Sequence, residues 1–160
     1  MEKINVGLIG AGWCGGIRAN TCAGSPIVDE LHLAEIEEDR LGEVAEQKNA
    51  TSTTTDYREV IARDNIDTII ISATPETTHY PMAKESLLAG KHVFLEKPLA
   101  LTLEEADELI KLGKENALKF AIGYSQRFNP KFAYVKKSLT EKTIGEPVSA
   151  LVSRHVSRGL

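Results

Sequence analysis

The sequence predicts an α/β fold, a doubly wound parallel sheet with helices on both faces, and three observations support this. Strand-like apolar segments alternate with helical segments from Lys3 to about Tyr124, which is typical of a parallel sheet. The segment Thr68 to Ala73 (TIIISA) is apolar without alternation, as in a strand covered on both faces. A glycine-rich turn, Gly10 to Gly15, separates the first strand from the first helix. We predict the strand order 3-2-1-4-5-6, with the ligand site at the carboxyl ends of the strands.

The elements of the first half follow from local patterns. Helices are predicted where apolar residues recur at helical spacing, and strands where apolar or β-branched residues cluster. Asp56 and Glu59 have the spacing of a capping box at the start of a short helix with Tyr57, Val60 and Ile61 on its apolar face. The other predicted elements are a strand Ile4 to Ile9, a helix Gly16 to Ala23 ended by Gly24 and Pro26, a strand Asp29 to Ile36, a helix Glu38 to Lys48 and a strand Thr51 to Thr55.

The second half continues the alternation. A helix over Thr77 to Ala89 ends at Gly90, a typical residue after a helix. Thr102 and Glu105 form a second predicted capping box, and Asn129 and Pro130 are predicted as N-cap and first residue of a last helix. The remaining elements are strands His92 to Leu95 and Lys119 to Tyr124, and a helix after Thr102 with Ala106, Leu109, Ile110, Gly113 and Ala117 on one face.

The pattern changes after Gly145-Glu146-Pro147. From Val148 to Val156, apolar and polar residues alternate with a period of two, apart from Leu151. This is typical of a half-buried strand in an antiparallel sheet. We therefore predict a dinucleotide-binding domain over 1–124, and over 125–160 a linking helix and the first strand of an incomplete second domain of the α+β kind.

Composition narrows the function classes. With 42% hydrophobic and 26% charged residues, the 160-residue chain has the composition of a globular protein. A net charge of −4 gives no electrostatic case for nucleic acid or an anionic membrane. No apolar run is long enough for a membrane span, and no signal peptide is predicted before the first strand. The two cysteines suit a reducing cytoplasm, and no Cys/His cluster has the spacing of metal ligands.

The glycine-rich turn predicts a dinucleotide site. Gly10 would make the tight turn, Gly12 would let a pyrophosphate approach the backbone, and Gly15 would let the helix pack close to the strand. Free N–H groups and the positive dipole end at the helix start favour an anion. Glu35 lies twenty residues after Gly15, the distance at which a carboxylate reaches a ribose 2′-hydroxyl. We expect NAD to be preferred over NADP, because Glu35 would repel a 2′-phosphate.

Three further stretches fall at the carboxyl ends of predicted strands: Ala73-Thr74-Pro75, Glu96-Lys97-Pro98 and Ser125-Gln126-Arg127. Lys97 could hydrogen-bond a substrate hydroxyl and stabilise the alkoxide that forms as hydride leaves. The alternative is that Glu96 and Lys97 are a solvated ion pair. A proline directly after a strand must turn the chain sharply, and we predict a cis Lys97-Pro98 bond.

These residues resemble a known family. The glycine turn, Thr74-Pro75, His79, the run from Ala89 to Val93 and above all Glu96-Lys97-Pro98 are similar to the Gfo/Idh/MocA oxidoreductases, as are Gly123-Tyr124 and Arg127 to Pro130. The resemblance implies a Rossmann domain followed by an open antiparallel sheet domain. It also implies NAD(P)-dependent oxidation of sugars, inositols or related polyols, and association into homo-oligomers through the second sheet.

The resemblance also implies roles for residues of this chain. Lys97 is implied as the catalytic-site lysine, and Glu96 lines the nicotinamide pocket, with Thr74, Pro75 and His79 along the same side. Trp13 and Cys14 would offer backbone N–H groups to the pyrophosphate. Ala73 and Gln126 belong to the strand-end stretches counted as cofactor-binding. Arg18 stands where many members have His, and the family's Asp and His on a later helix would lie beyond Leu160.

Alternatives remain beside these roles. His79 could equally cap or pack, and Cys14 could simply fill the turn. Arg40 either pairs with Glu37 or lies over the adenine. At the level of the whole chain, a non-catalytic NAD-binding module is the alternative to a dehydrogenase, and Lys97 argues against it.

Overall fold

A computed structural model describes residues 3–153 and residue 155. Its six-stranded sheet has the order β3-β2-β1-β4-β5-β6, and all five pairings are parallel, which confirms the predicted topology. The strands are β1 (Ile4–Ile9), β2 (Val28–Ala34), β3 (Ser52–Thr54), β4 (Thr68–Ile71), β5 (His92–Leu95) and β6 (Phe120–Ile122). The helices are α1 (Trp13–Ala23), α2 (Glu38–Lys48), α3 (Tyr57–Ile61), α4 (His79–Leu88), α5 (Leu103–Glu115) and α6 (Pro130–Thr140), with 3₁₀ turns at Glu76–Thr78 and Ser125–Phe128.

Both faces of the sheet are covered, as the apolar strands require. On one face, Val6, Leu8, Leu31 and Leu33 pack with residues of α1 and α2. On the other face, strand residues such as Ile9 pack with residues of α3, α4 and α5. Neighbouring residues of β1 thus enter opposite cores, because successive side chains of a strand point to opposite faces.

Element boundaries differ from the prediction mainly at the ends. Helix α1 begins at Trp13 rather than Gly16, since Gly12 already serves as its N-cap. The helix predicted from Thr77 is a 3₁₀ turn followed by α4 from His79. The strands predicted over 29–36, 51–55, 68–73 and 119–124 each end short of the predicted carboxyl end.

The caps are partly as predicted. Asn129 caps α6 by accepting from the Lys131 N–H at 3.0 Å, with Pro130 in the first turn. Thr102 caps α5 by accepting from the Glu105 N–H at 3.2 Å. However, the Glu105 carboxylate accepts from the N–H of Leu101 instead of that of Thr102, so the box is offset by one residue.

The capping box predicted at α3 is wrong. Asp56 accepts from the Arg58 N–H at 3.0 Å, but the carboxylate of Glu59 accepts from the Thr54 hydroxyl at 2.7 Å. The same hydroxyl accepts from the Asp56 N–H. A side chain of the preceding strand therefore takes the place of the box.

The face predicted for α5 is also only partly buried. Leu109 and Gly113 are buried, whereas Ile110 is exposed. Ala117 lies beyond the helix with φ of 53°. After α4, Gly90 has φ of 76°, as expected for a glycine that ends a helix.

The buried side chain of Lys91 hydrogen-bonds to the loop that joins α3 to β4. Lys91 is 8% exposed, and its Nζ donates to the carbonyl oxygens of Arg63 and Ile66, each at 2.8 Å. These oxygens belong to the segment that joins α3 to β4. The ammonium group thus replaces water for two backbone acceptors.

The chain forms two compact units that divide between Gly123 and Tyr124. The first holds the sheet and helices α1 to α5. The second holds the 3₁₀ turn Ser125–Phe128 and α6, and its residues 147–153 have no regular secondary structure. The strand predicted over 148–156 is thus not formed in its described part, where Val148 is 98% exposed and pairs with no described strand. Arg154 and Val156 lie outside the described residues.

Candidate functional site

The glycine turn after β1 is built as its spacing predicts. Gly10 has φ of 85°, and a Cβ on it would lie 2.6 Å from the backbone of Ala73 at the end of β4. A Cβ on Gly15 would lie 1.8 Å from the carbonyl oxygen of Gly10. Glycine at both positions is therefore required for the close approach of turn, helix and neighbouring strand.

The start of α1 is open. Gly12 is the N-cap, so no side chain caps the helix, and the first turn holds no acidic residue. A Cβ on Gly12 would meet nothing within 4 Å. The first N–H groups of α1 and the helix dipole are thus available to an anion.

A cleft of about 580 Å³ lies in front of this turn, at the carboxyl ends of β1, β2 and β4. Strand order reverses beside β1, and open α/β sheets bind ligands at such a point. The lining combines parts of the glycine turn with residues that follow β2, β3 and β4: Ile9, Gly10, Gly12, Trp13, Cys14, Ala34, Glu35, Ile36, Glu37, Arg40, Thr55, Tyr57, Ser72, Ala73, Thr74, Pro75, Thr78 and Met82.

Glu35 lies at the cleft wall, directly after β2, and is 7% exposed. Its Oε2 accepts from the Ala11 N–H at 2.7 Å, and its Oε1 accepts from the Glu37 N–H at 3.2 Å. These bonds fix the carboxylate against the glycine turn. Each carboxylate oxygen has a second lone pair that can accept from a hydroxyl.

Arg40, for which two roles were open, pairs with Glu37. Its Nη2 lies 2.9 Å from Glu37 Oε2, one helical turn away. Both residues line the cleft. The guanidinium is thus partly neutralised at the end of the cleft beside Glu35.

Tyr57 is a lining residue that the sequence placed only in the apolar face of α3. Its hydroxyl donates to Glu85 Oε1 at 3.0 Å. Burial, and then the hydrogen bond to Glu85, raise the pKa of the phenol. The hydroxyl is therefore protonated at neutral pH and stays a donor.

Five other predicted residues lie where expected, since Trp13, Cys14, Ala73, Thr74 and Pro75 all line the cleft. Trp13 is 82% exposed at its rim. The Thr74-Pro75 bond is cis, and so is Lys97-Pro98, which confirms the prediction for the latter.

Five predicted residues are absent from the cleft lining: Gly15, His79, Glu96, Lys97 and Gln126. His79 is 2% exposed, and both of its ring nitrogens contact backbone carbonyl oxygens. Lys97 is exposed, in the loop after β5, and makes no hydrogen bond to the residues that the structure describes. Gln126 is an exposed residue of the second unit, where its Oε1 accepts from Asn129 at 3.4 Å.

Glu96 is not half of a solvated pair with Lys97. It is 8% exposed, and its Oε2 accepts from Arg18 Nη2 at 2.9 Å. The guanidinium of Arg18 also lies 5.1 Å from the ring centroid of Phe94. The carboxylate packs so closely on Gly123 that a Cβ there would lie 3.0 Å from Oε2.

The remaining lining residues were missed, although a signal existed for some. Ile36 and Glu37 directly follow Glu35, and Ser72 directly precedes Ala73, so each is adjacent to a predicted site residue. Ser72 Oγ is buried and has no hydrogen-bond partner among the described residues. Thr78 and Met82 had no sequence signal.

The site fits a dinucleotide. It offers an uncapped helix start, a glycine cradle, a fixed carboxylate and an unpartnered hydroxyl in one cleft. In the described part of the chain, no three His, Cys, Asp or Glu residues are grouped to hold a metal ion. No described helix combines the length and apolar character that crossing a membrane requires.

Comparison with known proteins agrees with this geometry. The model of the GFO_IDH_MocA family, described as an oxidoreductase family with an NAD-binding Rossmann fold, matches residues 4–124. Myo-inositol 2-dehydrogenase of Thermotoga maritima is 31% identical over 147 residues, covering 90% of this chain and 43% of the relative. Levoglucosan dehydrogenase of Pseudarthrobacter phenanthrenivorans is 31% identical over 158 residues, covering 93% of this chain and 40% of the relative.

A comparison with solved structures also finds a similar dehydrogenase. Scyllo-inositol dehydrogenase from Lactobacillus casei, with bound NAD(H) and scyllo-inositol, superposes with a TM-score of 0.83 at 26% identity, over 90% of this chain and 43% of that one. The chain thus spans about two fifths of the length of the relatives it matches.

Proposed function

The chain belongs to the Gfo/Idh/MocA oxidoreductase family, and from this premise we propose that it is the cofactor-binding part of an NAD-dependent dehydrogenase. The reaction would transfer hydride between a sugar, inositol or related polyol and nicotinamide. The observation that carries the proposal is the cleft in which the uncapped start of α1 and the buried Glu35 carboxylate lie together. No observation on the described residues favours a non-catalytic binding module.

We propose that the glycine turn holds the pyrophosphate and that Glu35 holds the adenosine ribose. The backbone N–H groups of Trp13 and Cys14 would donate to phosphate oxygens, and Thr74 and Pro75 would contact the nicotinamide side. The bound dinucleotide supplies the hydride acceptor. This chain's residues bind and orient it, and Lys97 stabilises the substrate alkoxide by donating from its ammonium group.

The preference for NAD over NADP rests on charge. A 2′-phosphate would lie beside the carboxylates of Glu35 and Glu37, while Arg40 is already paired with Glu37. Two unit charges 4 Å apart repel by up to about 4 kcal/mol at an effective dielectric near 20. Solvent and Arg40 reduce this, so we expect on the order of 1–3 kcal/mol, roughly 5- to 150-fold in affinity.

Parallel titrations with NAD and NADP test the preference. Glu35→Gln keeps the shape and one of the two acceptor oxygens but removes the charge, and we expect it to narrow the ratio of the NAD affinity to the NADP affinity. Exposed Glu46, on the same helix as Arg40, serves for a matched Glu46→Gln control that leaves the ratio unchanged. Equal affinities of the parent chain for both cofactors would contradict the assignment.

We propose that polyol oxidation requires a protein of the length of the relatives, of which this chain spans about two fifths, and we call that protein the complete protein. We expect this chain to bind NAD in a calorimetric titration without producing the NADH absorbance band with any polyol. The complete protein, screened against inositols and sugars, should turn over. There, Lys97→Met should lower kcat by at least about tenfold while the NAD affinity stays within about threefold. Turnover at ordinary enzyme rates by this chain alone would refute the proposal that the acid/base group lies outside it.

For the complete protein we further propose a homo-oligomer and a cytoplasmic location. The first follows from the resemblance to a family that associates through its second sheet. The second follows from the two free cysteines, which suit a reducing compartment. Light scattering of the complete protein tests the first.

A further inference from the structure

His79 connects two loops at the carboxyl edge of the sheet. It is the first residue of α4 and is 2% exposed. Its Nδ1 lies 2.7 Å from the carbonyl oxygen of Pro98, and its Nε2 lies 3.1 Å from the carbonyl oxygen of Ala73. One side chain thus contacts the loop after β4 and the loop after β5 together.

The two loops have different parts in the site. The loop after β4 provides Ala73, Thr74 and Pro75 to the cleft wall. The loop after β5 carries Lys97, one residue before the carbonyl that His79 contacts. The sheet fixes both strands up to the Ser72 and Glu96 N–H groups, which donate to backbone carbonyls at 2.8 and 2.9 Å. Beyond these points the loops leave the sheet, and His79 lies between them.

The contacts of the ring explain why it cannot also face the cofactor. Both contacts are made to carbonyl oxygens, so a ring nitrogen can form a hydrogen bond there only when it carries the proton. A neutral imidazole donates to one of them at a time, and an imidazolium donates to both. Either way both ring nitrogens point at the protein backbone, which leaves no nitrogen for a ligand in the cleft.

We propose that His79 is a positioning residue that holds Lys97 in a fixed position relative to the cofactor cleft. A dinucleotide that contacts Ala73 to Pro75 would, through the imidazole, also fix the loop of Lys97. The consequence for turnover rests on the proposed dehydrogenase function, whereas the connection between the loops does not.

Three substitutions separate the two contacts. In His79→Asn the side-chain amide nitrogen takes about the place of Nδ1, so the contact to the Lys97 loop is kept. In His79→Gln it takes about the place of Nε2, so the contact to Ala73 is kept. His79→Leu keeps neither. Circular dichroism checks folding, and the Asn variant remains informative if the Leu variant fails to fold.

The first readout is the acylation rate of the Lys97 amine, measured by mass spectrometry on this chain with and without NAD, with exposed Lys111 as the internal reference. In the parent we expect NAD to slow acylation of Lys97 by at least about threefold relative to Lys111. The effect should be lost in the Leu variant and weakened in both the Asn and the Gln variant, because each of these keeps only one of the two contacts, while the NAD affinity stays within about threefold. Equal NAD effects in all four proteins would overturn the proposal. So would a loss of NAD affinity of about tenfold or more in folded His79→Asn, because it would make His79 a cofactor contact.

The second readout uses the complete protein. We expect His79→Gln to lower kcat by about tenfold with the dissociation constant for NAD nearly unchanged. An unchanged kcat in an active protein would overturn the proposal. If the complete protein shows no dehydrogenase activity, the proposed function fails by itself, and the acylation rates still decide the role of His79.

Discussion

Alanine substitutions at Gly12, Gly15 and Gly16 should affect NAD affinity and folding stability independently, although the three glycines lie within about one helical turn. At Gly15 a Cβ would lie 1.8 Å from the Gly10 carbonyl oxygen, so backbone must move. Ordinary overpacking costs about 1–3 kcal/mol. Because backbone rather than a flexible side chain is in the way, we expect Gly15→Ala to lower the free energy of unfolding by at least about 3 kcal/mol.

Gly12→Ala should weaken NAD binding and change the free energy of unfolding only slightly. Nothing lies within 4 Å of the added Cβ, and Gly12 lines the cleft, so we expect the methyl group to take the space of the pyrophosphate. Alanine is a poorer N-cap than glycine, which costs up to about 1 kcal/mol of stability. The affinity for NAD should fall by at least about tenfold, or 1.4 kcal/mol.

Gly16→Ala is the matched control. Gly16 lies inside α1, and its added Cβ also meets nothing within 4 Å. Replacing a glycine within a helix should stabilise the fold by about 0.5–1 kcal/mol and leave NAD binding unchanged. Urea unfolding followed by circular dichroism and calorimetric titration with NAD measure both quantities. Unchanged NAD affinity in Gly12→Ala would refute the assignment of the turn, and a Gly15→Ala variant as stable as the parent would refute the packing argument.

Three further results are expected. Maleimide should label Cys14, which lines the cleft, and bound NAD should slow this labelling. Cys22 should stay unlabelled in the folded chain. Burial raises the pKa of its thiol and outweighs the opposing effect of a nearby arginine. Labelling of Cys22 at the rate of a free thiol would contradict its burial. Lys91→Met should lower the free energy of unfolding by about 2–4 kcal/mol because two carbonyl oxygens lose their donor, whereas Met at exposed Lys119 should change it by less than about 0.5 kcal/mol. Gly123→Ala should cost about 1–2 kcal/mol in urea unfolding, since its Cβ would lie 3.0 Å from a buried carboxylate oxygen; no loss would mean that the carboxylate moves freely.

The sequence predicts those parts of the fold that depend on local pattern. The strand order follows from alternating elements, and Gly90 and Asn129 are recognisable because helix ends require special residues. The glycine turn and Glu35 are recognisable because their spacing reflects one strand-turn-helix unit. For the helix ends and the glycine turn, the sequence signal and the structure it specifies lie within a few residues of each other.

Some predictions failed because they concern contacts between residues that are far apart in the chain. Arg18 and Glu96 are separated by 78 positions, and no local pattern distinguishes a carboxylate paired with α1 from one paired with the next lysine. The capping box at α3 fails at short range instead, because the Thr54 hydroxyl, five residues before Glu59, competes for its carboxylate. The contacts of His79 arise only when two loops from neighbouring strands meet, so its sequence position alone left packing and ligand contact equally open.

The central position of β1 also has a consequence for synthesis of the chain. Although β1 is made first, Val6 pairs with Thr68 on one side and with Leu31 on the other. At translation rates of about 5–20 residues per second, the ribosome needs on the order of 3–12 s after β1 to produce β4. Until β4 is made, the edge of β1 that pairs with β4 has no partner strand, and its backbone N–H and C=O groups there are unpaired. The cleft, which is lined by residues that follow both β2 and β4, cannot form before β4 is available.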